Sequence, residues 1–93
     1  MRHFIIVKFK SGFDHSRYIE GIRDLFNNAY EIDGVNKIDL YTSNSDLHNR
    51  YDLMIEMVLD EKALKEFDGS WIHERWKSEY GSQIENKVIF DCD

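Results

Sequence analysis

Residues 2–9, RHFIIVKF, form a β-branched and aromatic run that Ser11-Gly12 stops, which predicts a strand. From about residue 15 the period lengthens: Tyr18, Ile22, Leu25, Phe26 and Ala29 recur at helical spacing, with Asp14 or Ser16 available as N-cap. Gly21 inside that helix costs about 1 kcal/mol against alanine, so a close backbone approach is expected there. Gly34 closes the connection, and VNKIDLYT alternates, with Ile38, Leu40 and Thr42 on one face and Lys37, Asp39 and Tyr41 on the other. The polar stretch SNSDLHNR, residues 43–50, predicts a hairpin loop. Beyond it Tyr51, Leu53, Ile55, Met57 and Leu59 alternate in a third strand, antiparallel to the second. DEKALKEF opens with an acidic first turn suited to the positive end of a helix. Asp68-Gly69-Ser70 breaks it, and a second helical piece runs from Trp71 to about Tyr80. Gly81 ends that piece, and NKVIFDC supplies a fourth strand centred on Val88, Ile89 and Phe90.

The order β-α-β-β-α-β predicts an α+β, ferredoxin-like fold, an antiparallel four-stranded sheet with both helical units on one face. A lone domain of this kind calls for a polar second face, yet the strands are apolar on both sides. Strand one carries His3, Ile5, Val7 and Phe9 on one side and Phe4 and Ile6 on the other. Strand three adds Met54 and Val58 opposite the Leu53 series, and strand four adds Ile89 opposite Val88 and Phe90. Scattered surface apolar residues are common in folded proteins, but here three strands show the pattern together. A second subunit covering the open side is the expectation, a homodimer through the sheet face.

Composition narrows the class. The 93 residues, 42% hydrophobic and 32% charged, suit one globular domain spanning 1–93. Eighteen acidic against 12 basic residues give a net charge of -6, which disfavours nucleic acid and anionic membrane surfaces as partners. The single cysteine, Cys92, points to a reducing cytoplasm, and the four apolar residues Phe4 to Val7 are too few for a signal peptide or a membrane span.

The stretches MRHFIIVKFK, IDGVNKIDL, RYDLMIEMVLDEKAL and KVIFDC resemble, in order and spacing, the stress-responsive A/B barrel (Dabb) family. The matching elements are His3 in HFIIVKFK, Ile-x-Gly-Val before strand two, Tyr-Asp-Leu opening strand three, and the acidic residues followed by Ala-Leu. The resemblance implies a protomer that pairs face to face through its sheet into a dimeric α+β barrel. It also implies a small stress-associated cytoplasmic protein of unassigned activity. Polyketide cyclases of this type use a histidine in the second helix, a tyrosine shortly before it and the N-terminal histidine in one pocket. Carried onto this chain, their His-Pro-x-His falls on Ser70-Trp71-Ile72-His73, the tyrosine position is Phe67, and His3 matches the N-terminal histidine.

On a helical wheel Ile72, Trp76, Tyr80 and His73 share an arc of roughly 100°, which turns His73 inward toward the sheet. If the His3 side of strand one is the helix-covered side, the two imidazoles share an interior. An imidazole beside aromatic walls suits general acid–base work, with Tyr80 or Tyr18 supplying the hydroxyl that Phe67 lacks. The blander and more usual reading of an inward histidine is a core residue hydrogen-bonded to a carbonyl or water. Phe67, Trp71, Trp76, Tyr80 and Phe26 either line a pocket for a small hydrophobic or aromatic ligand between sheet and helices, or form the core. His15 and His48, in polar surroundings, read as solvated, and Asp91-Cys92-Asp93 reads as a polar tail. Histidines at 3, 15, 48 and 73 make no metal pair, and no phosphate loop, nucleophile elbow or Cys-x-x-Cys occurs, so no cofactor or metal is expected. Two functions follow. One is a ligand-binding, non-enzymatic stress protein; the other is a cofactor-free cyclase or isomerase with His73 as general base and His3 or a tyrosine as helper. A cofactor-free oxygenase, as in related dimeric barrels, comes third, with no residue here to support it.

Overall fold

The computed structural model describes residues 1–93. Its strands are β1 (Arg2–Phe9), β2 (Val35–Thr42), β3 (Leu53–Leu59) and β4 (Ile84–Cys92), and its helices α1 (Ile19–Asn27), α2 (Glu61–Asp68) and α3 (Trp71–Tyr80). The sheet order is β2-β3-β1-β4 with every neighbour antiparallel, the ferredoxin-like βαββαβ arrangement.

Alternation decides which side chains meet the helices. Ile5, Val7 and Phe9 of β1, Ile38 of β2 and Leu53, Ile55, Met57 and Leu59 of β3 join one buried cluster. Onto it pack Ile22, Leu25 and Phe26 of α1, Ala63 and Phe67 of α2, and Ile72, Trp76 and Tyr80 of α3. At about 25 cal/mol per Å² of apolar surface, this single cluster is the main stabilising term.

The break in the second helical unit is built as the sequence indicates. Asp60 caps α2, its Oδ1 accepting from Ala63 N at 2.8 Å. Ser70 caps α3 by accepting from His73 N at 3.4 Å, and its hydroxyl donates to the Phe67 carbonyl at 2.7 Å, tying the two helices together. Gly21 allows the expected close approach: a Cβ there would lie 3.3 Å from the Tyr80 hydroxyl, where α1 meets α3.

Three boundaries differ from expectation. The first helical unit begins as a 3-10 turn at His15–Tyr18, before which Asp14 accepts the Ser16 hydroxyl at 2.7 Å rather than a backbone N–H. The hairpin extends to residue 52, because Asp52 is held elsewhere: its Oδ2 accepts from Phe9 N at 2.8 Å and its own N–H donates to the Val7 carbonyl. The fourth strand starts early, at Ile84, where a bulge near Lys8 and Phe9 shifts the β1–β4 register.

Gly34 sits at φ +96°, and a Cβ would fall 2.6 Å from Asp60 Oδ2, the carboxylate that caps α2. Gly12, at φ +90°, has open space around it. We expect Gly34→Ala to lower the urea-unfolding free energy by about 2–4 kcal/mol, combining left-handed strain with a displaced cap. Gly12→Ala, with strain alone, is expected to cost about 1–2 kcal/mol. Equal losses at the two positions would show that the Asp60 contact is immaterial.

Candidate functional site

The space between sheet and helices is occupied. Phe26, Phe67 and Trp76 are fully buried, with ring centroids 5.7 Å apart for Phe26–Phe67 and 5.3 Å, edge to face, for Phe26–Trp76. Tyr80 continues the stack at 5.5 Å from Trp76. Four of the five residues expected to wall a ligand thus fill the volume themselves. Every concavity of the chain is open to solvent, and none is lined by His73, Phe67 or Trp76. Trp71 is 52% exposed and lies outside, with the Arg75 guanidinium 5.3 Å above its ring. One residue before Ile72 means a rotation of about 100° away from the buried stripe.

The expectation that His73 turns inward is corrected. Ile72, Trp76 and Tyr80 are buried, and His73 is only half-buried. From Ile72 the positions Trp76 and Tyr80 advance by about 40° and 80°, while His73 stands at about 100°, past the edge of the stripe. Its Nδ1 lies 3.1 Å from the Asp68 carbonyl at the end of α2, and its ring meets the Phe67 ring edge to face at 5.4 Å. His73 therefore partners the α2–α3 junction rather than His3.

His3 lies on the helix-covered side of β1 and is 6% exposed. Its Nδ1 is 2.5 Å from Asp91 Oδ1, directly opposite in the β1–β4 ladder. The reading of residues 91–93 as a polar tail missed this, since the register that joins positions 3 and 91 is not local. In the neutral ring the carboxylate assigns the proton to Nδ1 and leaves the Nε2 lone pair free. No buried side-chain polar atom in the chain lacks a partner, so the unbonded Nε2 reaches solvent. A carboxylate-held imidazole of this kind can accept a proton.

The other face of the sheet has no cover. By register it carries Phe4, Ile6, Met54, Val58, Val88 and Phe90. The Phe4 and Phe90 rings are 6.3 Å apart, and the Arg2 guanidinium lies 5.0 Å from the Phe4 ring centre. A groove of about 430 Å³ runs between Arg2, Phe4, Ile6, Met54, Phe90 and Cys92. Glu56, 4% exposed, sits on this same face, shielded by neighbouring side chains rather than by overlying chain. It accepts from Arg2 Nε at 2.8 Å and from the Tyr41 hydroxyl at 2.9 Å, and Lys37 pairs with Asp39 at 3.1 Å beside it. The hydrogen bond from Arg2 and then that from Tyr41 hold the Glu56 carboxyl below its ordinary range, and the same bond pushes the Tyr41 phenol up. A lone acid in LMIEMVL is the signal that could have marked this network. No three His, Cys, Asp or Glu side chains converge as metal ligands do, and no helix is long and apolar enough to cross a membrane.

The sequence matches no family model and no curated relative. Solved structures match in fold. A dimeric ferredoxin-like protein of unknown function from Thermobifida fusca superposes with TM-score 0.76 at 10% identity, over 96% of this chain and 85% of that one. A Dabb family protein with a ferredoxin-like fold from Mesorhizobium loti gives 0.72 at 17%, over 99% and 93%. The hydroxynitrile lyase of Passiflora edulis gives 0.73 at 17%, over 96% and 87%. The fold is ferredoxin-like, the one these proteins share.

Because the folded-state pKa of Glu56 is depressed, its stabilisation is fully present above the ordinary carboxylate range of about 4 and is lost as pH falls through the lowered value. Glu56→Gln should remove that acid-side dependence. We expect the drop in urea midpoint between pH 6 and pH 3 to be smaller in Glu56→Gln than in the parent chain. An identical drop in both would show that the Arg2 and Tyr41 bonds do not favour the ionised form.

Proposed function

We propose that this chain acts as a homodimer of Dabb type, two sheets facing each other in an α+β barrel, as a stress-associated protein of the reducing cytoplasm. The uncovered apolar sheet face carries the reading: Val88 and Phe90 are 43% and 57% exposed beside Phe4, Ile6 and Met54. Two ion pairs on that face, Arg2–Glu56 and Lys37–Asp39, are already matched within the protomer, so a second copy can cover them without stranding a bare charge. The dimeric description of the Thermobifida fusca protein supports the same assembly. Cys92, free and half-buried on the same face, suits a reducing compartment. A ligand between sheet and helices has to displace Phe26, Phe67 or Trp76, so this reading puts the biochemical role in the assembled dimer. Sedimentation should give twice the 11.2 kDa chain mass, and Phe90→Glu should give a folded monomer. A well-folded monomer of the parent chain at high concentration would reject the reading.

His3–Asp91 favours a second reading, a cofactor-free proton-transfer enzyme, with the Passiflora edulis lyase as a fold precedent. Here His3, held by Asp91, is the base on Nε2; the His73 imidazole, fixed through Nδ1 by the Asp68 carbonyl, is the alternative base of a cyclase or isomerase. Turnover of a hydroxynitrile or carbonyl compound should fall at least about 100-fold in His3→Ala. Turnover unchanged in both His3→Ala and His73→Ala would sink it.

A further inference from the structure

The end of the molecule where β1 finishes, the β2–β3 loop folds over and β4 begins carries a cleft that neither reading above uses. One lobe, about 530 Å³, is bounded by Lys8, Lys10, His15 and His48, with Glu85 and Asp52 at its side and Phe9 and Phe13 as its two apolar lining residues. The adjoining lobe, about 470 Å³, is formed by Ser43, Asn44, Ser45 and Asp46 and has no hydrophobic lining. His15 and Asp52 line both lobes and join them.

Several contacts hold this shape. The His15 ring stacks on Phe9 at 5.3 Å and 16°, and Phe13 packs on Phe9 at 5.3 Å. Lys8 Nζ donates to the Arg50 carbonyl at 2.8 Å, which anchors the loop carrying His48. Asp52 spends Oδ2 on Phe9 N, leaving Oδ1 without a partner. Ser43 and Ser45 cross-link their own turn, with Ser43 Oγ 3.1 Å from both Ser45 N and Ser45 O. Gly12, at φ +90°, forms the lip with nothing near its Cβ position.

The cleft is dipolar. Apart from His15 and Asp52, which the two lobes share, one lobe gathers Lys8, Lys10 and His48 against Glu85, while the other offers Asp46 with hydroxyl and amide groups. In a chain of net charge -6, a site that sorts its charges in this way favours neither a simple anion nor a simple cation. We propose that this cleft binds a small zwitterion whose carboxylate and ammonium are separated by a short apolar spacer. The carboxylate lies against Lys10 and His48, the spacer against the partly exposed Phe13, and the ammonium against Asp46 and the free oxygen of Asp52. An ω-amino acid has this chemistry, and so does a dipeptide with free ends.

The test is a nitrogen-15 NMR titration of the whole chain with 6-aminohexanoate, and separately with hexanoate and with hexylamine at matched pH and ionic strength. Saturable shifts at residues of both lobes, at least about tenfold tighter for 6-aminohexanoate than for either half, are expected. Lys10→Ala/His48→Ala and Asp46→Asn should each weaken 6-aminohexanoate by about threefold or more while leaving the core resonances in place. Glycyl-phenylalanine then separates the two ligand sources: tighter binding than 6-aminohexanoate assigns the cleft to peptide ends, weaker binding to ω-amino acids. Absence of saturable shifts up to about 50 mM, equal binding of a half-molecule, or full binding by the variants would overturn the proposal.

Discussion

A four-stranded sheet has two faces, and this chain brings helices to only one of them. Everything else in the molecule follows from that imbalance. On the covered side, Ile5, Val7 and Phe9 meet Phe26, Phe67 and Trp76 in a continuous core. Burying each such large side chain contributes about 1.5–3 kcal/mol. On the other side, Phe4 is hidden by its neighbours within the sheet, Arg2 and Phe90 among them, and the strands keep hydrocarbon in contact with water. The Glu56 network on that side has already met its hydrogen bonds, so it tolerates burial far better than an unpaired acid would.

The antiparallel ladders also bring distant parts of the chain into chemical contact. β1, in the middle of the sheet, pairs with β4 so that His3 meets Asp91, and with β3 so that Arg2 meets Glu56 on the opposite face. One strand thus carries the buried imidazole on its covered side and the ionic anchor on its open side, because successive side chains alternate. At the far end of β1, Phe9 and Asp52 fasten the loops that shape the polar cleft.

Local pattern accounts for most of the elements. The period-two runs in β1 and β2, the cap at Asp60, the Asp68-Gly69-Ser70 break and the close approach at Gly21 are each written within a few residues, and each is found in place. Where the reading slipped, a neighbour in space outweighed a neighbour in sequence. Tyr51 alternates with β3 but stays outside it, because Asp52 is claimed by β1. His73 sits just past the edge of the buried stripe, where the α2 carbonyl end takes it. Trp71 looks like core by type and is turned outward by one residue of helical rotation.

Taken alone, the sequence determined the order of strands and helices, the ferredoxin-like class and the doubled apolar faces, because periodicity and turn chemistry act over short spans of chain. Tertiary structure alone decided which imidazole gained a carboxylate, where Glu56 found its donors and whether the aromatic rings enclosed a void or closed it. Those outcomes depend on cross-strand register and on the volumes of side chains far apart in the chain, and neither quantity is encoded in any single segment.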